Sequence, residues 1–143
     1  MCLIVFAYRQ HPDYPFVFAA NRDEFYGRPA APAAFWDEAP ELLAGRDLAA
    51  GGTWCGVTRS GRFAAITNYR DLRSHDPDAP SRGKLVTDYL LGTDPPADYL
   101  ARISEGAARF NGFNLLAADR DALCYYSNRE GVVRTLAPGV YGL

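Results

Sequence analysis

Two apolar runs open the chain, Cys2 to Tyr8 and Phe16 to Ala20, both rich in Val, Ile and Phe and separated by the turn-forming stretch His11-Pro12-Asp13-Tyr14-Pro15. They predict an N-terminal hairpin. Neither run alternates, so the sheet they enter is expected to be covered on both faces. Asn21-Arg22-Asp23-Glu24 follows at once, four polar residues at the end of a buried strand. From Gly27 to Ala50 the chain is rich in Pro and Ala and keeps neither the strand nor the helix period. It reads as a long loop with one short strand near Leu42 and Leu43, and loops of this length usually serve function.

Gly51 to Val57 and Arg62 to Asn68, separated by Arg59-Ser60-Gly61, predict a second hairpin. A polar break from Arg70 to Ser81 follows. Ser81 is a suitable N-cap for a helix that places Leu85, Val86, Tyr89 and Leu90 on one face and stops at Gly92. Asp94 and Pro95-Pro96 signal a second helix, with Tyr99, Leu100, Ile103, Ala107 and Phe110 at helical spacing. After Asn111-Gly112 the strand period returns in Phe113 to Ala118, Ala122 to Ser127, Val132 to Leu136 and a last run, Val140 to Leu143. Strands, two helices, then more strands describe an α+β layered sheet protein. The final apolar run has no turn or polar tail after it, so the chain is expected to be the N-terminal part of a longer domain.

Length fits one domain: 143 residues against roughly 100 to 200 per domain. A formal charge of -2 argues against a phosphate-tracking nucleic-acid binder. Fourteen of the fifteen basic residues are Arg, with Lys84 the exception; alongside so many alanines, that bias fits genome composition as well as phosphate recognition and carries no functional weight. The longest uncharged apolar stretch, Leu3 to Tyr8, is far below the roughly 20 residues of a membrane-spanning helix, and no basic start precedes it as in a secretory signal. A cytoplasmic location without stable membrane insertion is the expectation. Cys2, Cys55 and Cys124 are more than 50 residues apart, which indicates neither a disulfide framework nor a zinc site. Nothing in the sequence calls for a resident cofactor, and the oligomeric state is left open.

Cys2 is the first candidate for chemistry. Removal of the initiator methionine would put a thiol and a free amine on one residue, and an α-amine titrating near about 7.7 to 8.0 can accept the thiol proton. The competing reading is a small buried hydrophobe at a strand start. Arg22 and Asp23 can orient an amine and a carbonyl by charge-assisted hydrogen bonds, and the hairpin brings them back beside residue 2; a surface turn is the alternative. Asn68 can offer its amide to an oxyanion or simply end a turn. Gly51-Gly52-Thr53-Trp54 lacks the Lys-Ser/Thr of a phosphate loop and fits a tight approach of backbone to backbone. His11 and His75 read as solvated histidines without ligand or triad spacing. Phe25, Tyr26, Phe35, Trp36 and Trp54 could line one apolar pocket or belong to the core.

Met1-Cys2, Asn21-Arg22-Asp23-Glu24, Gly51-Gly52-Thr53-Trp54, Thr67-Asn68-Tyr69-Arg70, Ser81-Arg82-Gly83, Gly112-Phe113-Asn114-Leu115-Leu116 and Ser127-Asn128, in this order, resemble the NRDE family, that of the transport and Golgi organisation proteins. The resemblance implies an αββα sandwich of N-terminal-nucleophile type, similar to choloylglycine hydrolases and penicillin V acylases, with Cys2 as nucleophile. Arg22 and Asp23 are the counterparts of an Arg and an Asp that hold the nucleophile and its amine in those relatives, although the relatives space the two further apart. Asn68 falls where the relatives place an oxyanion-hole group. A further Asn of the relatives lies beyond the equivalent of Gly142-Leu143. The implied substrate is a non-peptide amide or acyl compound. The resemblance equally allows a non-catalytic role, since eukaryotic members are linked to secretory organisation, lipid or acyl-coenzyme A metabolism and haem trafficking.

Overall fold

The opening runs pair as a hairpin, β1 (Leu3–Tyr8) and β2 (Phe16–Asn21), with Leu3 opposite Asn21 and Tyr8 opposite Phe16. The computed structural model describes residues 2–69 and 76–143; Met1, Arg70 and His75 lie outside the described residues. Eight further strands follow: β3 (Ala30–Trp36), β4 (Ala39–Asp47), β5 (Cys55–Thr58), β6 (Phe63–Asn68), β7 (Phe113–Ala118), β8 (Leu123–Ser127), β9 (Val133–Thr135) and β10 (Gly139–Gly142). Two helices, α1 (Gly83–Leu91) and α2 (Pro96–Ser104), and a 3₁₀ turn, Ala107–Arg109, lie between β6 and β7. The strands form a three-stranded sheet, β10-β1-β2, and a seven-stranded one, β3 through β9 in sequence order, with antiparallel neighbours throughout. The chain is thus α+β, a helical layer on a large sheet that in turn packs on a small one.

Two cores hold these layers. Between the sheets, Ile4, Phe6 and Tyr8 of β1 meet Phe63, Ala65, Leu116, Ala118 and Leu123, and the Phe63 ring sits edge-on to Phe16 and Phe18 at 4.8 and 5.0 Å. On the other face, Leu85, Val86, Tyr89, Leu90, Tyr99 and Leu100 cover Leu42, Ala44, Ala64, Ile66, Leu115 and Ala117. Strands β6 and β7 are therefore buried on both faces, which is why Phe63 to Ile66 and Leu115 to Ala118 are apolar without alternation.

The same reading fails for the first hairpin. Both helices pack on the larger sheet, so one face of β1 and β2 is core while Leu3, Val5 and Val17 on the other stand 43 to 53% exposed. The stretch from Gly27 to Ala50 is a hairpin, β3–β4, rather than a loop with one short strand. β3 is an edge strand of Ala and Pro, mostly exposed, with Pro32 inside a register shift between Ala31 and Ala34, so no period marks it. Helix α1 is capped by Arg82, not Ser81, with no side-chain cap bond, and its buried face is the expected one. Helix α2 ends at Ser104, short of Ala107 and Phe110, which belong to the 3₁₀ turn and its cap. Among the described residues no helix is long and apolar enough to cross a membrane.

At the end of the sandwich away from residue 2, Arg9 adopts a left-handed φ of 52° and its guanidinium donates to the Asp121 carbonyl at 2.9 Å, stitching the β1–β2 turn to the β7–β8 turn. Between the helices, the Tyr99 hydroxyl donates to the Leu85 carbonyl at 2.6 Å, whereas the buried Tyr89 hydroxyl has no partner among the described residues. Their phenylalanine variants should therefore diverge. Tyr99→Phe is expected to cost about 1 kcal/mol in urea unfolding, and Tyr89→Phe to be neutral or stabilising by about the same amount, because it removes an unsatisfied buried group.

Candidate active site

Antiparallel pairing puts the starts of odd strands and the ends of even strands at one rim, from β1 through β7. A cleft of about 380 Å³ opens there. Cys2, Arg22, Asp23 and Asn68 all line it, so the structure brings together the four residues selected from the sequence. The hairpin register does most of this: Leu3 faces Asn21, whose side-chain oxygen also accepts the Leu3 amide at 3.0 Å, and Cys2 lands beside Arg22 and Asp23.

The half-buried Cys2 thiol is held by backbone. Sγ accepts the Asp23 amide at 3.4 Å and lies 3.9 Å from the Asp23 carbonyl oxygen. Arg22 donates to Glu24 at 3.3 Å, and Glu24 in turn accepts the Phe25 amide at 2.9 Å. Arg28 grips Asp47 through Nε and Nη2 at 3.0 and 2.7 Å, while the other Asp47 oxygen accepts the amides of Ala49 and Ala50. Partial burial pushes the Asp47 carboxyl up, but Arg28 and these amides outweigh it and hold the group below its ordinary range. Asn68 ends β6 on the rim, and the next residue is fixed by a Tyr69 amide bond to the Gly112 carbonyl at 2.9 Å.

The sequence did not single out Arg28, Asp47 or Arg82 as site residues, yet they line the cleft together with Glu24 of the Asn21-Arg22-Asp23-Glu24 stretch and Trp54 of the aromatic group. For Arg82 the signal was present in Ser81-Arg82-Gly83. Its place is set by Gly52 and Gly83: a Cβ on Gly52 would lie 2.6 Å from the Gly83 carbonyl carbon and 2.8 Å from its oxygen, the backbone contact that the Gly51-Gly52 pair suggested. Asn128 bonds the turn before β7, accepting the Phe113 amide at 2.9 Å and donating to the carbonyls of Ala107, Phe110 and Asn111. Asn111 clasps Asp76 through both backbone groups at 2.9 and 2.7 Å, which fixes that wall of the cleft.

Two expectations need correction or placing. The aromatic residues do not share a pocket: Phe25 and Tyr26 are exposed, Phe35 lies under Arg59, Trp36 is buried with its Nε1 on the Ala44 carbonyl, and Trp54 lines the cleft without them. Their nearness in sequence hid that Phe25 and Tyr26 lie before β3, Phe35 and Trp36 on β3, and Trp54 just before β5. His11 is exposed on the far turn, its Nδ1 accepting the Asp13 amide, as a solvated histidine should be. Among the described residues no group of three or more His, Cys, Asp and Glu is placed to hold a metal ion.

Fold and cleft together define a class, a two-sheet antiparallel α+β protein whose polar cleft is organised around a cysteine at position 2. The chain belongs to the Transport and Golgi organisation 2 family, whose model matches residues 1–143. It is 42% identical over 156 aligned residues to Transport and Golgi organization 2 homolog from Mus musculus, an alignment that covers all of this chain and 56% of that protein. The Homo sapiens homolog is also 42% identical, with the same coverage, and the Drosophila melanogaster protein is 30% identical over 130 residues, covering 83% of this chain and 46% of its own length. The chain thus spans about half the length of the curated relatives it matches.

The three thiols should separate by reactivity. Burial pushes the Cys55 thiol up to about 11 and raises Cys124 as well. Iodoacetamide near neutral pH is expected to modify Cys2 first, with Cys55 gaining about tenfold in rate per pH unit up to its pKa, because the thiolate is the nucleophile; peptide mapping across pH checks this. Gly52→Ala should cost about 1 to 3 kcal/mol of stability by overpacking against Gly83. Gly27→Ala, where an added Cβ meets nothing within 4 Å, is the comparison and should be close to neutral.

Proposed function

We propose that this chain carries the nucleophile of an N-terminal-cysteine amidohydrolase acting on a small non-peptide amide or acyl compound. One observation carries the reading: the Cys2 thiol sits against the Asp23 backbone in the cleft that also holds Arg22 and Asn68. In the proposed reaction, removal of Met1 exposes the Cys2 α-amine, which takes the Sγ proton as sulfur bonds to the carbonyl carbon. Charge that develops on the carbonyl oxygen is met by the Asn68 side-chain amide. The C–N bond then breaks, and the departing nitrogen takes the proton held by the α-amine. The thioester that remains is cleaved by water, which gives one proton to the α-amine and its hydroxyl to the acyl carbon, and the thiol is restored. Arg22 and Asp23 serve as positioning groups for the amine and thiol.

The cleft volume of about 380 Å³ lies at the small end of the roughly 300 to 1,000 Å³ of ligand pockets, which favours a short acyl or amide group over a bulky one. The expected signature is a protein made without an N-terminal tag whose intact mass lacks Met1 and whose turnover of a short N-acyl amide disappears in Cys2→Ala. Asn68→Ala should lower kcat by about 10²–10³, the range for one oxyanion donor. Full turnover by Cys2→Ala would overturn the mechanism.

In a second reading the same cleft carries an acyl ligand or haem without cleaving anything; of this, the relatives' names support only the word transport. That reading requires saturable binding that survives Cys2→Ala. In either case a cytoplasmic site of action fits best, with no stable insertion into a membrane.

A further inference from the structure

Among the described residues four guanidinium groups line the cleft, those of Arg22, Arg28, Arg46 and Arg82. Three have carboxylate partners: Arg22 pairs with Glu24 at 3.3 Å, Arg28 with Asp47 at 2.7 Å, and Arg46 with Glu38. Arg82 differs. Its Nη1 donates to the Gly112 carbonyl at 2.8 Å, and among the described residues no carboxylate lies within ion-pair distance and nothing accepts from its Nε or Nη2.

The position makes this costly. Burial pushes the Arg82 guanidinium below its ordinary range; Glu24 and Cys2 pull it back by charge at longer range, and Arg28 works against it. Arg82 is also the N-cap of α1, whose first turn has no acidic residue, so a cation stands at the positive end of the helix. A desolvated charge without a counter-charge is unfavourable, and here the missing partner faces a cleft instead of packed protein. Asp23, Glu24, Asp47 and Asp76 share the lining, so the walls would repel a dianion more than a single negative charge. A planar carboxylate matches the open Nε–Nη2 edge with two parallel bonds.

We propose that Arg82 binds a carboxylate on the ligand of this cleft, so that the compound whose carbonyl meets Cys2 carries a carboxylate at its other end. In calling that compound a substrate the inference rests on the hydrolase reading; the anion site itself does not need turnover.

The test compares alkylation of Cys2 by iodoacetate and by iodoacetamide, in which sulfur displaces iodide from the same carbon and the reagents differ by one negative charge. The ratio of the two rates cancels the thiolate fraction and isolates attraction for the carboxylate. Arg82→Gln is expected to lower the iodoacetate-to-iodoacetamide ratio at Cys2 by about tenfold, the scale of a charged hydrogen bond. Arg46→Gln, whose guanidinium is already paired with Glu38, should shift it by less than about twofold. An unchanged ratio in a folded Arg82→Gln protein, shown by an unaltered urea midpoint, overturns the proposal. If that variant fails to fold, the unaltered protein decides at matched ionic strength: butyrate should slow iodoacetamide at Cys2 and inorganic phosphate should not. Equal protection by phosphate, or none by butyrate, overturns the carboxylate assignment. Absence of turnover or retention of Met1 would count against the hydrolase reading alone, since the alkylation ratio does not depend on either.

Discussion

The pairing of Leu3 with Asn21 is the constraint on which the site depends. It is enforced by packing at a distance from the cleft. Ile4, Phe6 and Tyr8 reach the inter-sheet core only in this register, and a slip by one residue would turn all three to the outer face. Burying each is worth about 1.5 to 3 kcal/mol, so the core holds the hairpin in place and the hairpin holds Cys2 against Asp23. The thiol needs no dedicated side-chain partner for its position, because a backbone amide fixed by the same ladder meets it.

The rest of the rim follows from antiparallel order. Strand ends that are far apart in sequence converge on one edge, which is how Asn68, Asp47 and Gly83 come to face residues 2 and 22 to 24. Side-chain amides then fix the pieces that no ladder reaches, with Asn128 bonding the turn before β7 and Asn111 clasping Asp76. Motif residues such as Asn128 and Gly52 thus contribute geometry to the cleft without entering it.

Much of this was legible in the sequence where one energetic term dominated. Phe113 to Ala118 matched β7 to the residue, because burial on both faces leaves Leu115 to Ala118 apolar and Gly112 and Asp119 bound the strand. Cys2, Arg22 and Asp23 were brought together by hairpin logic alone. The β3–β4 hairpin was hidden, since an exposed edge strand with Pro32 at a bulge has no burial pattern to show. Ser81 carried the better capping side chain, yet the close contact between Gly52 and Gly83 starts the helix one residue later, at a point that sequence propensity does not see. Arg82 could be quoted within a motif but not given a role, because its distinction from Arg22, Arg28 and Arg46 lies in which carboxylates reach it.

The stitch between Arg9 and Asp121 has a practical side. It closes the rim opposite the cleft, where the turns after β1, β5 and β7 expose polar residues to water. Because Cys2 lines the cleft, an extension ahead of it would crowd that rim, so affinity handles belong elsewhere. The Arg59-Ser60-Gly61 turn, on the far rim and outside that stitch, offers an attachment point for a reporter dye or surface linker that leaves the working end of the molecule unobstructed.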